Sequence, residues 1–285
     1  MFNKVAIFGV GLIGGSFALA LDRFNGARTI VGVGRSTATL QRALQLGVID
    51  EIATDAQAAV HGADLVLVAA PVAQTEAILA AIQPALGLRT IVTDAGSTKS
   101  DVVAAARRAL GGKFPQFVPA HPIAGKEQSG VEAAEATLYD GRRCILTPVS
   151  ETAGHCVDAV REMWERCGAR VSAMAPDQHD AVFAAVSHLP HVLSFALVAA
   201  IAKEPDAALK FAHAGGGFRD FTRIAASSPE MWRDICLANK DAILRELDAY
   251  ETELKQLRRL IEHSAGDGIA AEFELARTVR SQLQF

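Results

Sequence analysis

The chain has 285 residues, enough for one large or two medium domains, and its 50% hydrophobic against 21% charged residues imply a substantial buried core. A formal net charge of -4 gives no general attraction to nucleic acid or an anionic membrane surface, so a small metabolite is the expected partner. Cys144, Cys156, Cys167 and Cys236 show neither CxxC spacing nor a short secreted context, and no run reaches ~18 uninterrupted apolar residues. Reduced thiols and a cytoplasmic location are therefore the expectation.

In chain order, KVAIFGV (4–10) reads as a strand and runs into FGVGLIGGSFALAL, where Gly9, Gly11 and Gly14 form G-x-G-x-x-G ahead of a helical pattern. Gly9 would allow the tight turn, Gly11 the approach of a pyrophosphate, and Gly14 close helix–strand packing. With Leu12 and Ile13 they make a candidate dinucleotide site, the anion meeting free N–H groups at the helix start. The next strand, TIVGV (29–33), ends in VGVGRST, where Gly34 stands in place of the acid that holds the ribose of NAD. Arg35 and Ser36 follow, and a guanidinium there favours NADP, with NAD still possible. The competing reading makes Arg35 a solvated residue at a helix start.

ADLVLVAAP (63–71) and TIVTD (90–94) continue the strand pattern. After the latter comes TDAGSTKSD, in which Asp94, Ser97 and Lys99 could face a nicotinamide, because ligands of open parallel sheets sit beyond the strands' carboxyl ends. Alternatively Ser97 or Ser100 is an N-cap, with Asp101 in the first helical turn. FVPAHP (117–122) places His121 at another strand end, where Pro122 and Gly125 open a shaped loop. Its unperturbed pKa suits a general base near neutrality. CILTP (144–148) and ARVSAM (169–174) complete the strands, and continuous apolar strands between helical segments predict a doubly wound parallel sheet.

A break at residues 172–177, around Pro176, divides the chain into a nucleotide-binding domain over 1–174 and an all-helical domain over 175–285. SHLPH puts His188 and His191 three apart on an apolar helix, more suited to lining a pocket than to holding metal, since no acid or cysteine completes a ligand set. HAGGGFRDFTRIAASSPEMW carries a glycine turn, Arg219, Asp220, Arg223 and Trp232. The arginine forks suit carboxylate recognition, although Arg219 and Arg223 could instead be a surface pair bridged by Asp220. Ile243, Leu247, Tyr250, Leu254, Leu257 and Ile261 form a coiled-coil-like seam, or else ordinary helix packing.

GVGLIGGS, DAGSTKS, HPIAGKEQSG, SHLPH and GGGFRDFTRIA, in this order over about residues 5–235, together resemble the prephenate and arogenate dehydrogenases of tyrosine biosynthesis. The resemblance implies a Rossmann-type domain followed by an all-α dimerisation domain, and oxidative decarboxylation of prephenate, or arogenate, with hydride transfer to NAD(P)+. It implies His121 as the catalytic histidine and Ser97 as the serine that orients it. Arg223 would grip the ring carboxylate, with His191, His188 and Trp232 in the pocket and His191 preferred over His188. Glu127, Asp220 and Gly216 would complete the substrate site. It further implies a homodimer, built through the helical domain. The chain is expected to carry neither a fused chorismate mutase nor a regulatory domain. Two rival readings exist: a β-hydroxyacid dehydrogenase or imine reductase would leave HPIAG without a role, and a non-catalytic NADP-binding redox sensor would not need two histidines and an arginine in one cleft.

Overall fold

The computed structural model describes residues 1–126 and 128–283. Strand β1 (Phe2–Phe8) leads into helix α1 (Leu12–Arg23) and strand β2 (Ala27–Val33). Helix α2 (Thr37–Gln45), strand β3 (Glu51–Ile52), helix α3 (Ala56–Val60) and strand β4 (Leu65–Val68) follow. Helix α4 (Thr75–Ile82), strand β5 (Ile91–Asp94), helix α5 (Ser100–Leu110) and strand β6 (Phe117–Val118) complete the alternation. The six strands are parallel in the order β3-β2-β1-β4-β5-β6. Side-chain alternation divides the apolar strand residues between two cores: Val5, Ile7, Leu65 and Leu67 join one, and Ala6, Phe8, Val66 and Val68 the other. Burial on both faces is why residues 5–8 of β1 and all of β4 are apolar without alternation. The strand order reverses between β1 and β4, and the glycine turn lies at that switch point.

The expected parallel sheet is corrected in two places. Strand β3 has only two residues, too few to show a pattern. FVPAHP is not one strand: β6 ends at Val118, and β7 (Ala120–Pro122) starts a second sheet beyond Pro119, which has no N–H to continue a ladder. Strand β7 pairs antiparallel with β8 (Arg143–Leu146), and β8 pairs parallel with β9 (Arg170–Ala173) through the crossover helix α6 (Gly154–Arg166). CILTP and ARVSAM thus belong to this small mixed sheet.

From Pro176 onward the described residues form helices: α7 (Pro176–Phe183), a π turn at Ala184–His188, α8 (Leu189–Ala202), α9 (Ala207–Ala212), α10 (Gly216–Thr222) and α11 (Pro229–Ala238). Pro190 supplies no N–H at the start of α8, so the helical ladder is broken beside the π turn. By length and composition Pro176–Ala202 could cross a membrane, with a mean hydropathy of 1.7. It nevertheless buries His179, Asp180, His188 and Ser194, and each is hydrogen-bonded within the protein.

The chain separates into two compact units, residues 1–240 and 241–285. The second is built from α12 (Lys240–Glu262) and α13 (Gly266–Gln282), joined by a turn in which Ser264 takes a φ of 51°. Gln256 Nε2 donates to Glu272 Oε1 at 2.8 Å, fastening the two helices. The seam from Ile243 to Ile261 lies along α12 alone, where Leu254 and Ile261 are exposed.

Candidate active site

The glycine turn forms as its spacing predicts. Gly9 has a φ of 98°, and a Cβ there would lie 2.5 Å from the Ala69 carbonyl oxygen. A Cβ on Gly14 would lie 2.0 Å from the Gly9 oxygen, so α1 can sit this close to the turn only with glycine. Gly11 faces open space. The carboxyl ends of β1, β2 and β4 thereby frame a cleft of about 610 Å³ lined by Gly9, Gly11, Gly34, Arg35, Ser36 and apolar residues such as Leu40 and Ile78. This shape suits a dinucleotide: glycine backbone for the phosphates and an apolar slot for a planar base. Leu12, Ile13 and Gly14 do not line the cleft; the Ile13 carbonyl instead accepts from the Tyr139 hydroxyl at 2.6 Å. Ser36 caps α2, accepting from the Thr39 N–H at 3.2 Å, and the Arg35 side chain is 72% exposed and 3.7 Å from Glu230.

A second cavity of about 450 Å³ collects Ser97, His121, His191, Arg223 and Trp232. These residues come from the end of β5, from β7, from α8, from the turn after α10 and from α11. His191 stacks on Trp232 with ring centroids 3.7 Å apart, and its Nδ1 donates to the Ser187 carbonyl at 2.8 Å. Its Nε2 is therefore the acceptor in the neutral ring. Burial lowers the His191 pKa, and Arg223 lowers it further.

Beneath His121 lies a chain of bonds that sequence reasoning missed. His121 Nδ1 is 2.8 Å from His179 Nε2, and His179 Nδ1 is 2.9 Å from Asp180 Oδ1. The carboxylate accepts from the Lys99 and Ser100 N–H groups at 2.8 Å each, so Asp180 caps α5 in place of either serine. An ionised carboxylate can only accept, so His179 carries its proton on Nδ1 and accepts on Nε2. His121 must then hold its proton on Nδ1, which leaves Nε2 with a free lone pair. Burial, reinforced by His179, Lys99 and His188, holds the His121 pKa well below 6.5, so the ring is neutral at neutral pH. Burial also lowers the His179 pKa, against the pull of Asp180. The only signal in the sequence was a His–Asp pair just after the Pro176 break.

Other expected site residues are placed differently. Asp94 is 1% exposed and lines neither cavity. Its carboxylate accepts from Gly96 N–H at 2.7 Å, Ala120 N–H at 3.0 Å and Lys99 Nζ at 2.5 Å, while Lys99 also donates to the Ala120 carbonyl at 2.8 Å. This buried pair grips both backbone groups of the residue before His121, and removing one partner of such a pair typically costs about 3–5 kcal/mol. His188 is buried beside the Ser97 backbone and does not line the cavity, which distinguishes it from His191. Asp220 and Gly216 are exposed and do not line it either; Asp220 pairs with Arg219 at 3.5 Å. Glu127 lies outside the described residues. Among the described residues, no group of three or more His, Cys, Asp or Glu is placed to hold a metal ion.

Comparison with known proteins identifies the family. Family models for the prephenate dehydrogenase nucleotide-binding domain and dimerization domain match residues 17–173 and 175–275. A prephenate dehydrogenase of Bacillus subtilis is 37% identical over 99% of this chain and 76% of its own length. A cyclohexadienyl dehydrogenase of Zymomonas mobilis is 35% identical over 100% of this chain and 97% of its own. The crystal structure of prephenate dehydrogenase from A. aeolicus with hydroxyphenyl propionate and NAD+ superposes with a TM-score of 0.92 at 37% identity, covering 100% of this chain and 99% of that one. By both family models and by relatives of 35–37% identity over the full chain, the chain belongs to the prephenate dehydrogenase family.

Proposed function

We infer that the chain is a prephenate dehydrogenase that oxidatively decarboxylates prephenate or arogenate using NAD(P)+. The observation that carries this reading is the bonded series Asp180–His179–His121, which ends on an unprotonated nitrogen in the cavity that also holds Arg223, His191 and Trp232. The C4 carbon of the substrate carries both a hydroxyl and a hydrogen. His121 Nε2 takes the hydroxyl proton as that oxygen becomes a carbonyl. A nicotinamide dinucleotide held by the glycine turn supplies the acceptor for the C4 hydride. The C1–carboxylate bond then breaks, carbon dioxide leaves, its electron pair completes the aromatic ring, and the C4 oxygen takes its proton back from His121, giving 4-hydroxyphenylpyruvate, or tyrosine from arogenate. Arg223 suits the ring carboxylate as a planar fork. Ser97 lies in the same cavity, where it would orient the base and the nicotinamide. Absorbance at 340 nm, recorded with prephenate and with arogenate against NAD+ and NADP+, tests the reading. A flat trace in all four combinations would sink it.

For the cofactor we propose NADP. No carboxylate ends β2, and Arg35 stands with the Ser36 and Thr39 hydroxyls at the mouth of the first cleft. Gly34 leaves room for a side chain, its nearest neighbour being Leu40 at 3.6 Å from a built Cβ. Arg35→Ala combined with Gly34→Asp is expected to shift the NADP/NAD ratio of kcat/KM toward NAD by at least ~10-fold, since a charge-assisted bond is lost and a repelling carboxylate gained. An unmoved ratio would leave Arg35 a solvated residue.

We further propose that residues 175–285 form the substrate and dimerisation domain, and that the protein is a cytoplasmic homodimer. The dimerization-domain match over 175–275 and the exposed Leu254, Ile261, Phe273 and Leu275 support this reading. Light scattering at micromolar concentration should give about twice the 30.1 kDa chain mass. A monomer would overturn it.

A further inference from the structure

Asp180 acts through its main chain as well as its carboxylate. Its carbonyl oxygen, which can only accept, lies 2.8 Å from Asn239 Nδ2. That contact fixes the orientation of the Asn239 amide, because the carbonyl oxygen of asparagine could not bond there. The same Nδ2 lies 3.1 Å from His188 Nδ1. His188 Nδ1 must then be the accepting nitrogen, and its ring proton sits on Nε2. Burial pushes the His188 pKa down to about 4, so the ring is neutral at neutral pH. Its Nε2 makes no hydrogen bond and is buried beside the backbone of Ser97, which lines the cavity holding His121. Two bonded series therefore leave Asp180: one from the carboxylate through His179 to His121, the other from the carbonyl through Asn239 to His188, where it ends beside the Ser97 backbone. Asn239 is buried at the C-terminal end of α11, the helix that also carries Trp232.

We propose that Asn239 is a positioning residue for the reaction: it holds His188 in the Nε2–H tautomer beneath the Ser97 loop and fastens the end of α11 to the helix that bears His179 and Asp180. The proposal rests on the dehydrogenase reading above. A purely structural Asn239 would affect stability alone, whereas a positioning role reaches turnover through the His188 tautomer.

Two measurements on the full chain separate these possibilities. Long-range 1H–15N spectra of the histidine-labelled wild-type protein at pH 7 should show His188 neutral with its proton on Nε2. A proton on Nδ1 overturns the proposal, and this measurement needs no variant to fold. Asn239→Asp keeps the side chain's shape but removes the donor, so His188 is expected to leave the Nε2–H tautomer. The kcat for prephenate should fall about 10-fold or more through misplacement of Ser97 and His179, while the KM for NAD(P)+ stays within about twofold. Wild-type turnover in a folded Asn239→Asp protein overturns the proposal. If the wild type itself does not oxidise prephenate, the dehydrogenase reading fails, and the His188 spectrum still reports on Asn239 independently.

Discussion

His121→Asn is expected to lose at least ~10²-fold in kcat while its affinity for NAD(P)+ stays within about twofold. Asparagine retains a hydrogen-bonding side chain of similar reach but cannot take a proton from the substrate alcohol. The cofactor cleft is built from other segments, the carboxyl ends of β1, β2 and β4, so it should remain intact. The sign of the pH dependence follows from the depressed His121 pKa. Only the neutral ring can accept a proton, so wild-type kcat/KM should be level through neutrality and fall only as pH drops through a value well below 6.5. The groups facing this ring are His179 on α7, Lys99 ahead of α5 and His188 on the π turn, and each lowers the pKa beyond the effect of burial. Steady-state rates at 340 nm, with cofactor affinity from nucleotide fluorescence, check both points. An unaltered turnover number would remove His121 from the mechanism.

The parallel sheet was legible because burial on both faces forces continuous apolar runs, and residues 5–8 of β1, 30–33 of β2 and 65–68 of β4 carry that mark. The passage of FVPAHP between two sheets was not legible. Pro119 breaks the ladder, but which sheet receives the following residues depends on pairing with β8, more than 20 residues away. In the site, His121, Ser97, His191, Arg223 and Trp232 were all readable as motif residues, and one cavity collects them. His179 and Asp180 escaped because their role arises from contacts with His121 and with Lys99 and Ser100, 58 to 81 residues distant in the chain. In isolation they resemble any polar pair in the first turns of a helix that begins with proline. Asp94 was misplaced for the converse reason. A strand end identifies where a side chain sits but not where it points, and Lys99 turns this carboxylate inward, away from both cavities.

Arg223→Ala should raise the KM for prephenate by roughly 10- to 100-fold and leave the KM for NAD(P)+ nearly unchanged. Arg223 lines the cavity of His121 and His191 and lies outside the nucleotide cleft, so its loss falls on the substrate. A guanidinium bonds both oxygens of a carboxylate, and a hydrogen bond to a charged group contributes about 1.5–3 kcal/mol, which is the source of that range. The ring carboxylate is bound in the ground state and retained until carbon dioxide leaves, so much of the interaction is common to both states and KM should change more than kcat. Arg223→Lys keeps the charge but not the planar fork, and should fall between wild type and alanine. The His191 ring gives a second readout: Arg223 holds its pKa down, so the alanine variant should raise it, visible by histidine NMR without substrate. A raised His191 pKa with an unchanged substrate KM would place Arg223 near the pocket but not on the carboxylate.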